Sequence, residues 1–273
     1  VFTEGDSLEF DVFDKNTWPV DKNIYGKWRL FQMAFILMCI SDIDAPSENQ
    51  SMDLIWFPTG GGKTEAYLGL SAFTLLVERL KGADSFIGVK IIMRYTLRLL
   101  TAQQFERAAA MIVALDDIRK ENTSLGTHPI SIGLWVGGSV TFNSHGQPVT
   151  GYNKNPNTSN QWYANTNFDY ANRPWPWILQ KCPRCNREFG VFGSAQKNNV
   201  KIFGVHQNSS SKVHFLCKCE SSQSKPSSNL PIYVVDDDLY TELPSLIIGT
   251  VDKFARLTWK PESSKLLGVN SIG

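Results

Sequence analysis

The chain has 273 residues, of which 42% are hydrophobic and 19% are charged, and its formal net charge is +1 at pH 7. This composition is typical of a folded globular protein and excludes a strongly basic chain, so any nucleic-acid contact must come from a local basic surface. The longest apolar run, Met33 to Ile40, is shorter than the roughly 18 residues of a membrane span, and no basic leader with a cleavage site opens the chain. We therefore expect a cytoplasmic protein with one main domain and an insertion.

Strand and helix signals alternate along two stretches of the chain. Apolar or β-branched runs at 54–57, 89–93 and 130–136 predict strands, and the residues between them predict helices that end near Leu80 and Lys120. The alternation resumes with two apolar runs at 232–235 and 246–250. This pattern favours an α/β fold with a parallel sheet.

A glycine-rich segment lies between the first predicted strand and the first predicted helix. Residues 57–64 read FPTGGGKT, and three successive glycines let backbone N–H groups face an anion at a helix start. Lys63 would neutralise the β- and γ-phosphates of a nucleotide, and the Thr64 hydroxyl would hold Mg²⁺. Phe57 stands where the strict GxxxxGK[ST] pattern has glycine, so a glycine-rich turn that ends in Lys-Thr is the alternative.

Two further polar segments flank this loop in the sequence. The amide of Gln32 can pair with the N6 amine and N7 of adenine, although a solvated helix residue is the alternative. Arg94, Thr96 and Arg98 follow the second predicted strand, where a helix begins. They could bind nucleic-acid phosphates, or they could belong to a capped helix with solvated arginines.

A loop-rich stretch with paired cysteines interrupts the alternation at about 143–230. Cys182 and Cys185 form a CxxC knuckle, and Cys217 and Cys219 supply a second pair. Four thiolates complete a tetrahedral Zn²⁺ shell, and such a closed shell has a structural role. Unligated thiols or a redox pair are the alternatives, and the substitute ligands are His206 and His214.

These segments together resemble superfamily 2 helicases. Residues 57–66 resemble motif I, 29–32 its adenine-reading segment, and 94–104 motif Ia. The glycine pair in residues 135–139 resembles motif Ib, and residues 248–255 resemble motif Ic. The sequence segments FPTGGGKTEAYLGL, MRYTLRLLTAQQFERA and GTVDKFARL are similar to those of the helicase subunits of bacterial DISARM anti-phage systems. The resemblance covers roughly residues 25–257.

The resemblance implies a RecA-like P-loop NTPase lobe with a mostly parallel sheet and a zinc-binding insertion. It implies a lead-in at 1–24, an incomplete first helicase lobe at 25–142 and 231–273, and an insertion at 143–230 with a four-cysteine zinc site. ATP and Mg²⁺ would be held by Gln32, Thr59, Gly60, Gly61, Gly62, Lys63, Thr64 and Glu65. The residues implied to touch a DNA backbone are Arg94, Thr96, Arg98, Gly138, Thr250 and Lys253.

Backbone contacts of this kind carry little base information, so DNA binding should be sequence-tolerant and strongly salt-dependent. The expected partners are DNA, a second motor lobe in the same full-length chain, and a non-motor DISARM subunit, with no membrane.

The sequence departs from the helicase pattern in two respects. It has no DExH-type box and no second motor lobe, so we expect this segment to bind ATP without efficient turnover. Asp236, after the apolar run 232–235, is a candidate Mg²⁺ ligand, although an acidic turn that caps a helix is the favoured interpretation. The same loop also fits a different class of protein, a P-loop NTPase that acts as a switch or kinase and carries a zinc insertion. A third possibility is that the insertion serves as a docking module.

Overall fold

The structure is a computed structural model that describes residues 28–44, 52–54, 56, 62–82, 87–96, 98–137, 141, 144, 178–192, 201–207, 212–217, 228–255, 259 and 261–268. Its α-helices are α1 (Leu30–Asp44), α2 (Lys63–Gly82), α3 (Arg98–Glu121), α4 (Asp236–Glu242) and α5 (Val251–Phe254). Its strands are β1 (Ile91–Tyr95), β2 (Ile132–Trp135), β3 (Gly190–Phe192), β4 (Lys201–Phe203), β5 (Val205–Gln207), β6 (Val213–Cys217), β7 (Ser228–Leu230), β8 (Ile232–Tyr233) and β9 (Leu246–Thr250). Short 3₁₀ helices lie at Thr123–Leu125 and Pro261–Leu267.

The chain forms two compact units, residues 1–74 and 75–273, and the boundary falls within α2. In the first unit, α1 packs on the opening turns of α2. The Phe35 and Tyr67 rings meet edge to face with centroids 5.9 Å apart. Gly69 allows a close approach, because a Cβ there would lie 2.5 Å from Trp28 Cη2 and 3.0 Å from Ile36 Cδ1.

The second unit contains a four-stranded sheet in the order β1-β9-β2-β8, and each neighbouring pair is parallel. Every residue of β2 and β9 is buried, whereas β1 alternates between half-buried and exposed side chains. Central strands of a parallel sheet are covered on both faces, which explains their uninterrupted apolar sequences. The predicted α/β class with a parallel sheet is confirmed.

Helix α3 covers the sheet with one face and ends in a buried polar network. Gln103, Glu106 and Arg107 are exposed, as their spacing predicts. Near its end, Asp116 Oδ1 accepts hydrogen bonds from Arg119 Nε at 2.7 Å and from the Ile130 N–H at 3.0 Å. These bonds satisfy buried polar groups and fix the connection from α3 to β2.

The strand predicted at 54–57 does not form in its described residues, so this prediction is wrong there. The described residues 52–54 and 56 form neither helix nor strand, and Met52, Leu54 and Trp56 are 96%, 92% and 87% exposed. An apolar run forms a strand only where a neighbouring strand supplies hydrogen bonds, and no described strand pairs with this segment. Apolar composition alone did not reveal that missing neighbour.

The predicted loop-rich stretch contains short antiparallel strands that the sequence pattern missed. Strands β3 and β4 pair with each other, and β5, β6 and β7 form a three-stranded sheet. Phe189 and Phe215 stack with centroids 6.3 Å apart.

Within the described part of the chain, no helix has both the length and the hydropathy required to span a bilayer.

Ile247 in β9 and Ile92 in β1 are cross-strand partners with different surroundings, since Ile247 is fully buried and Ile92 is 37% exposed. We predict that Ile247→Ala lowers the free energy of unfolding by about 2–5 kcal/mol, because it leaves a cavity in the core. Ile92→Ala serves as the matched control and should cost about 1 kcal/mol or less. Urea unfolding measures both, and equal losses would contradict the central position of β9.

Candidate functional site

The start of α2 carries the described part of the predicted phosphate loop. Lys63, Thr64 and Glu65 form the first helical turn and are half-buried. Gly62 directly precedes them with φ +86°, a left-handed conformation that favours glycine. The other predicted loop residues, Thr59, Gly60 and Gly61, lie outside the described residues.

Gln32 is bonded to this loop through its side-chain amide. Its Nε2 donates to the Gly62 carbonyl at 2.7 Å, and its Oε1 accepts from the Arg29 N–H at 2.8 Å. A Cβ on Gly62 would lie 2.7 Å from the same Nε2 atom, so the contact also requires glycine. Gln32 is only 4% exposed, so it is not a solvated helix residue, and pairing with a base would use the second N–H and second lone pair of its amide. Sequence reasoning missed the bond to Gly62.

Two of the residues predicted to contact DNA, Arg94 and Thr96, lie at the carboxyl end of the parallel sheet. Arg94 and Thr96 are exposed at the end of β1. The parallel ladder between β1 and β9 pairs Arg94 with Gly249 and Tyr95 with Thr250. The end of β1 therefore lies beside the end of β9. Ligands of open parallel sheets bind at this edge. Helix α3 begins at Arg98, whose side chain lies outside the described residues, as does Gly138.

Thr250 and Lys253, which are also predicted to contact DNA, are buried. Thr250 has no exposed surface, and its hydroxyl oxygen has no hydrogen-bond partner among the described residues. Lys253 in α5 is also buried, and its Nζ lies 2.6 Å from Asp236 Oδ2. The structure therefore places Lys253 in an internal ion pair.

Asp236 opens α4, and the first turn of this helix contains two more aspartates. The acidic first turn agrees with the favoured interpretation, but the predicted cap is wrong in detail, because the N-cap residue is Val235 and no side-chain cap hydrogen bond is present. Asp236 is only 1% exposed, and its Oδ2 lies 2.6 Å from Lys253 Nζ, whereas its Oδ1 has no hydrogen-bond partner among the described residues. The negative first turn is also stabilised by the helix dipole.

A chain of contacts surrounds this ion pair. Trp135 Nε1 donates to the Tyr240 hydroxyl at 3.1 Å, and that hydroxyl donates to Asp236 Oδ2 at 3.4 Å. Burial, together with the Asp236 charge, raises the pKa of Tyr240, so the phenol keeps its proton. The Trp135 ring also meets Phe254 edge to face with centroids 4.9 Å apart. The network joins the ends of β2, α4 and α5.

Three of the four predicted metal ligands come together. The sulfur atoms of Cys182, Cys185 and Cys217 all lie within 4.8 Å of one another, and Cys185 and Cys217 are 3.4 Å apart. A tetrahedral ion with Zn–S bonds of about 2.3 Å needs sulfur atoms separated by roughly 3.8 Å. The spacing of the cluster is therefore close to what a tetrahedral metal site requires.

The cysteine knuckle is a tight hairpin with its own backbone bonds. The Cys182 N–H donates to the Arg187 carbonyl, and the Asn186 N–H donates to the Cys182 carbonyl, each at 2.8 Å. Asn186 has φ 59°, a conformation that asparagine tolerates. Arg184 reaches from the knuckle to Asp117 in α3 with two hydrogen bonds of 2.8 and 2.5 Å. Sequence reasoning missed this bidentate link.

The fourth predicted ligand, Cys219, lies outside the described residues. His214 is three residues before Cys217 in β6, so its side chain lies on the opposite face of the strand and is not a substitute ligand there. Burial raises the pKa of the Cys182 thiol, and a bound metal ion would reverse this effect because it binds the thiolate.

The fold and this geometry define an α/β protein with a parallel sheet and a cysteine cluster that could hold a metal ion. No family model matches the chain. It is 36% identical over 259 residues to the DISARM protein DrmA of Bacillus paralicheniformis, and the alignment covers 89% of this chain. The chain is thus related to DrmA, which confirms the predicted resemblance to a DISARM protein. It spans 21% of the length of that relative.

Replacing a clustered cysteine should remove bound zinc. We expect Cys185→Ser to lower the zinc content from about one ion per chain to a small fraction, because three ligands hold the metal weakly. Cys39→Ser is the matched control, since Cys39 is buried in α1 and is not among the clustered residues. Elemental analysis of the purified protein measures the content, and equal zinc in both variants would argue against the site.

Proposed function

We propose that this chain is the ATP-binding, RecA-like first lobe of a DNA helicase or translocase that acts in DISARM-type anti-phage defence. The observation that carries the proposal is the start of α2, where left-handed Gly62 leads directly into Lys63 and Thr64. The relationship to a DISARM protein over 89% of the chain supports the defence role. The parallel sheet is consistent with a RecA-like lobe.

The proposed nucleotide site uses backbone and side-chain groups for different parts of ATP. Backbone N–H groups at the start of α2 bind the phosphates, with favourable interaction from the helix dipole. Lys63 neutralises the β- and γ-phosphates, and the Thr64 hydroxyl ligates Mg²⁺. Gln32 binds the adenine while its bond to Gly62 holds the loop in place. The remaining proposed contacts are Thr59, Gly60, Gly61 and Glu65.

The proposed DNA surface lies at the carboxyl edge of the sheet. Arg94 and Thr96 are exposed there and offer a cation and a hydroxyl to the strand backbone. Arg98 and Gly138 belong to the same proposed surface. Thr250 and Lys253 are buried, so we assign them no direct contact with the strand backbone.

The proposed role of Zn²⁺ is structural. Cys182, Cys185, Cys217 and Cys219 would fill its coordination shell and leave no position for a reactive water. The metal would stabilise the insertion proposed at 143–230, between the two parts of the motor lobe proposed at 25–142 and 231–273. Efficient ATP turnover would require a second motor lobe in the complete protein, which supplies groups that stabilise the γ-phosphate.

The first test concerns the lysine of the phosphate loop. We expect Lys63→Ala in the complete protein to lower DNA-stimulated ATPase activity by about 10²-fold or more, because a preorganised charge at the γ-phosphate is lost. Lys81→Ala, at the exposed end of the same helix, should retain wild-type activity. Turnover is measured with and without single-stranded DNA. Activity that DNA does not stimulate would favour a P-loop switch or kinase instead.

The second test separates the two proposed roles of Gln32. We expect Gln32→Ala to weaken ATP and GTP binding alike through loss of the Gly62 bond, and to weaken ATP binding further through loss of the adenine contact. The preference for ATP over GTP should therefore fall. Competition titrations with a fluorescent nucleotide measure it, and Gln103→Ala in α3 is the control. An unchanged preference would restrict Gln32 to holding the loop.

A further inference from the structure

We propose that Lys253 and Asp236 form a positioning pair that fixes the junction between β9 and α5, and that Lys253 makes no phosphate contact of its own. The proposal rests on the proposed DNA-binding function for its readout. It separates the residues of this sheet edge that touch DNA from those that hold the edge in shape.

The first observation is the environment of the lysine. A cation that binds a strand backbone must reach a solvent-facing phosphate, whereas the Lys253 side chain is 6% exposed. Its Nζ lies 2.6 Å from a carboxylate oxygen of Asp236, which itself is 1% exposed. The nearby negative charge cancels most of the field that Lys253 would present to DNA.

The second observation is that further contacts hold Asp236 and the residue that follows Lys253. Tyr240, one turn after Asp236 in α4, donates to the same carboxylate and accepts from Trp135 at the end of β2. Trp135 packs against Phe254, which follows Lys253 in α5. The contacts therefore close a ring through α4, β2 and α5. A ring of this kind fixes where α5 leaves the sheet, because each element is held by two others.

The third observation is the tight packing below the ring. A Cβ on Gly249 would lie 2.9 Å from Phe254 Cε2 and 3.0 Å from the Trp135 carbonyl oxygen. Gly249 pairs in register with Arg94 of β1. The ring is therefore built directly against the strand end that presents Arg94 and Thr96, and it can set the position of that edge without touching DNA.

The test compares the complete protein with Asp236→Asn, Lys253→Met and Arg94→Met variants. The probe is a fluorescent single-stranded oligonucleotide titrated at several salt concentrations. We expect Asp236→Asn and Lys253→Met each to weaken binding by about three- to tenfold, which is within the range by which residues that do not touch a ligand modulate its affinity. Neither should change the slope of log K against log salt, because no phosphate contact is lost. Arg94→Met should reduce that slope by about 1.

The sign of the Asp236→Asn effect is the decisive comparison. If Lys253 bound a phosphate, removing the carboxylate would release the ammonium and remove a negative charge, so binding would tighten and the slope would steepen. That outcome, or a reduced slope for Lys253→Met, overturns the proposal. Lys253→Arg keeps the charge pair and should restore binding.

Thermal unfolding gives an independent readout of the pair. Each single variant should lower the melting temperature, because each single change leaves one buried group without its charged partner. The decrease for the double variant should be smaller than the sum of the two single decreases. Additive losses overturn the pairing. If the wild-type protein binds no DNA, the proposed function fails, and the melting comparison still decides whether the two residues act as a pair.

Discussion

Strand β9 is the element on which the second compact unit depends. It is buried along its whole length and pairs in parallel with β1 on one side and β2 on the other. These two ladders set the register of the sheet, and the chain that leaves β9 enters α5 within one residue. Because burial permits only a single close-packed arrangement, the edge formed by the ends of β1, β2 and β9 has a defined shape.

Helix α4 connects this edge to the cysteine-containing stretch. At its first turn Asp236 pairs with Lys253, and at its last turn Glu242 pairs with Lys212, directly before β6. The hydrogen bond with Glu242 raises the pKa of Lys212, so the lysine stays charged. Strand β6 in turn ends at the clustered Cys217, and Arg184 of the knuckle is bonded to α3. The cysteine cluster is thus tied to α4 and α3 by two ion pairs, Lys212–Glu242 and Arg184–Asp117, which couple it to the packing of the second unit.

The sequence predicted the regular elements where their hydrophobic signal was strong. The run 246–250 predicted β9 with its observed bounds, and the helices before Leu80 and Lys120 end within two residues of those positions. The apolar run 54–57 gave a similar signal and forms no strand in its described residues, because a strand also needs a hydrogen-bonding neighbour. The strands β3 to β7 went unpredicted because each has only three to five residues and depends on local antiparallel pairing.

For the candidate site, the chemical groups could be predicted from the sequence: a glycine before Lys63 and Thr64, a cysteine knuckle, and arginines after a strand. Spacing and residue chemistry suffice for these because each group acts within a few residues of chain. Which groups meet across the chain became visible in the fold alone. It bonded Gln32 to Gly62, brought Cys217 to the knuckle, and placed Lys253 against Asp236 inside the protein. Burial and ion pairing depend on contacts between distant residues, and so the same lysine reads as a phosphate ligand in sequence and as a buried partner in the fold.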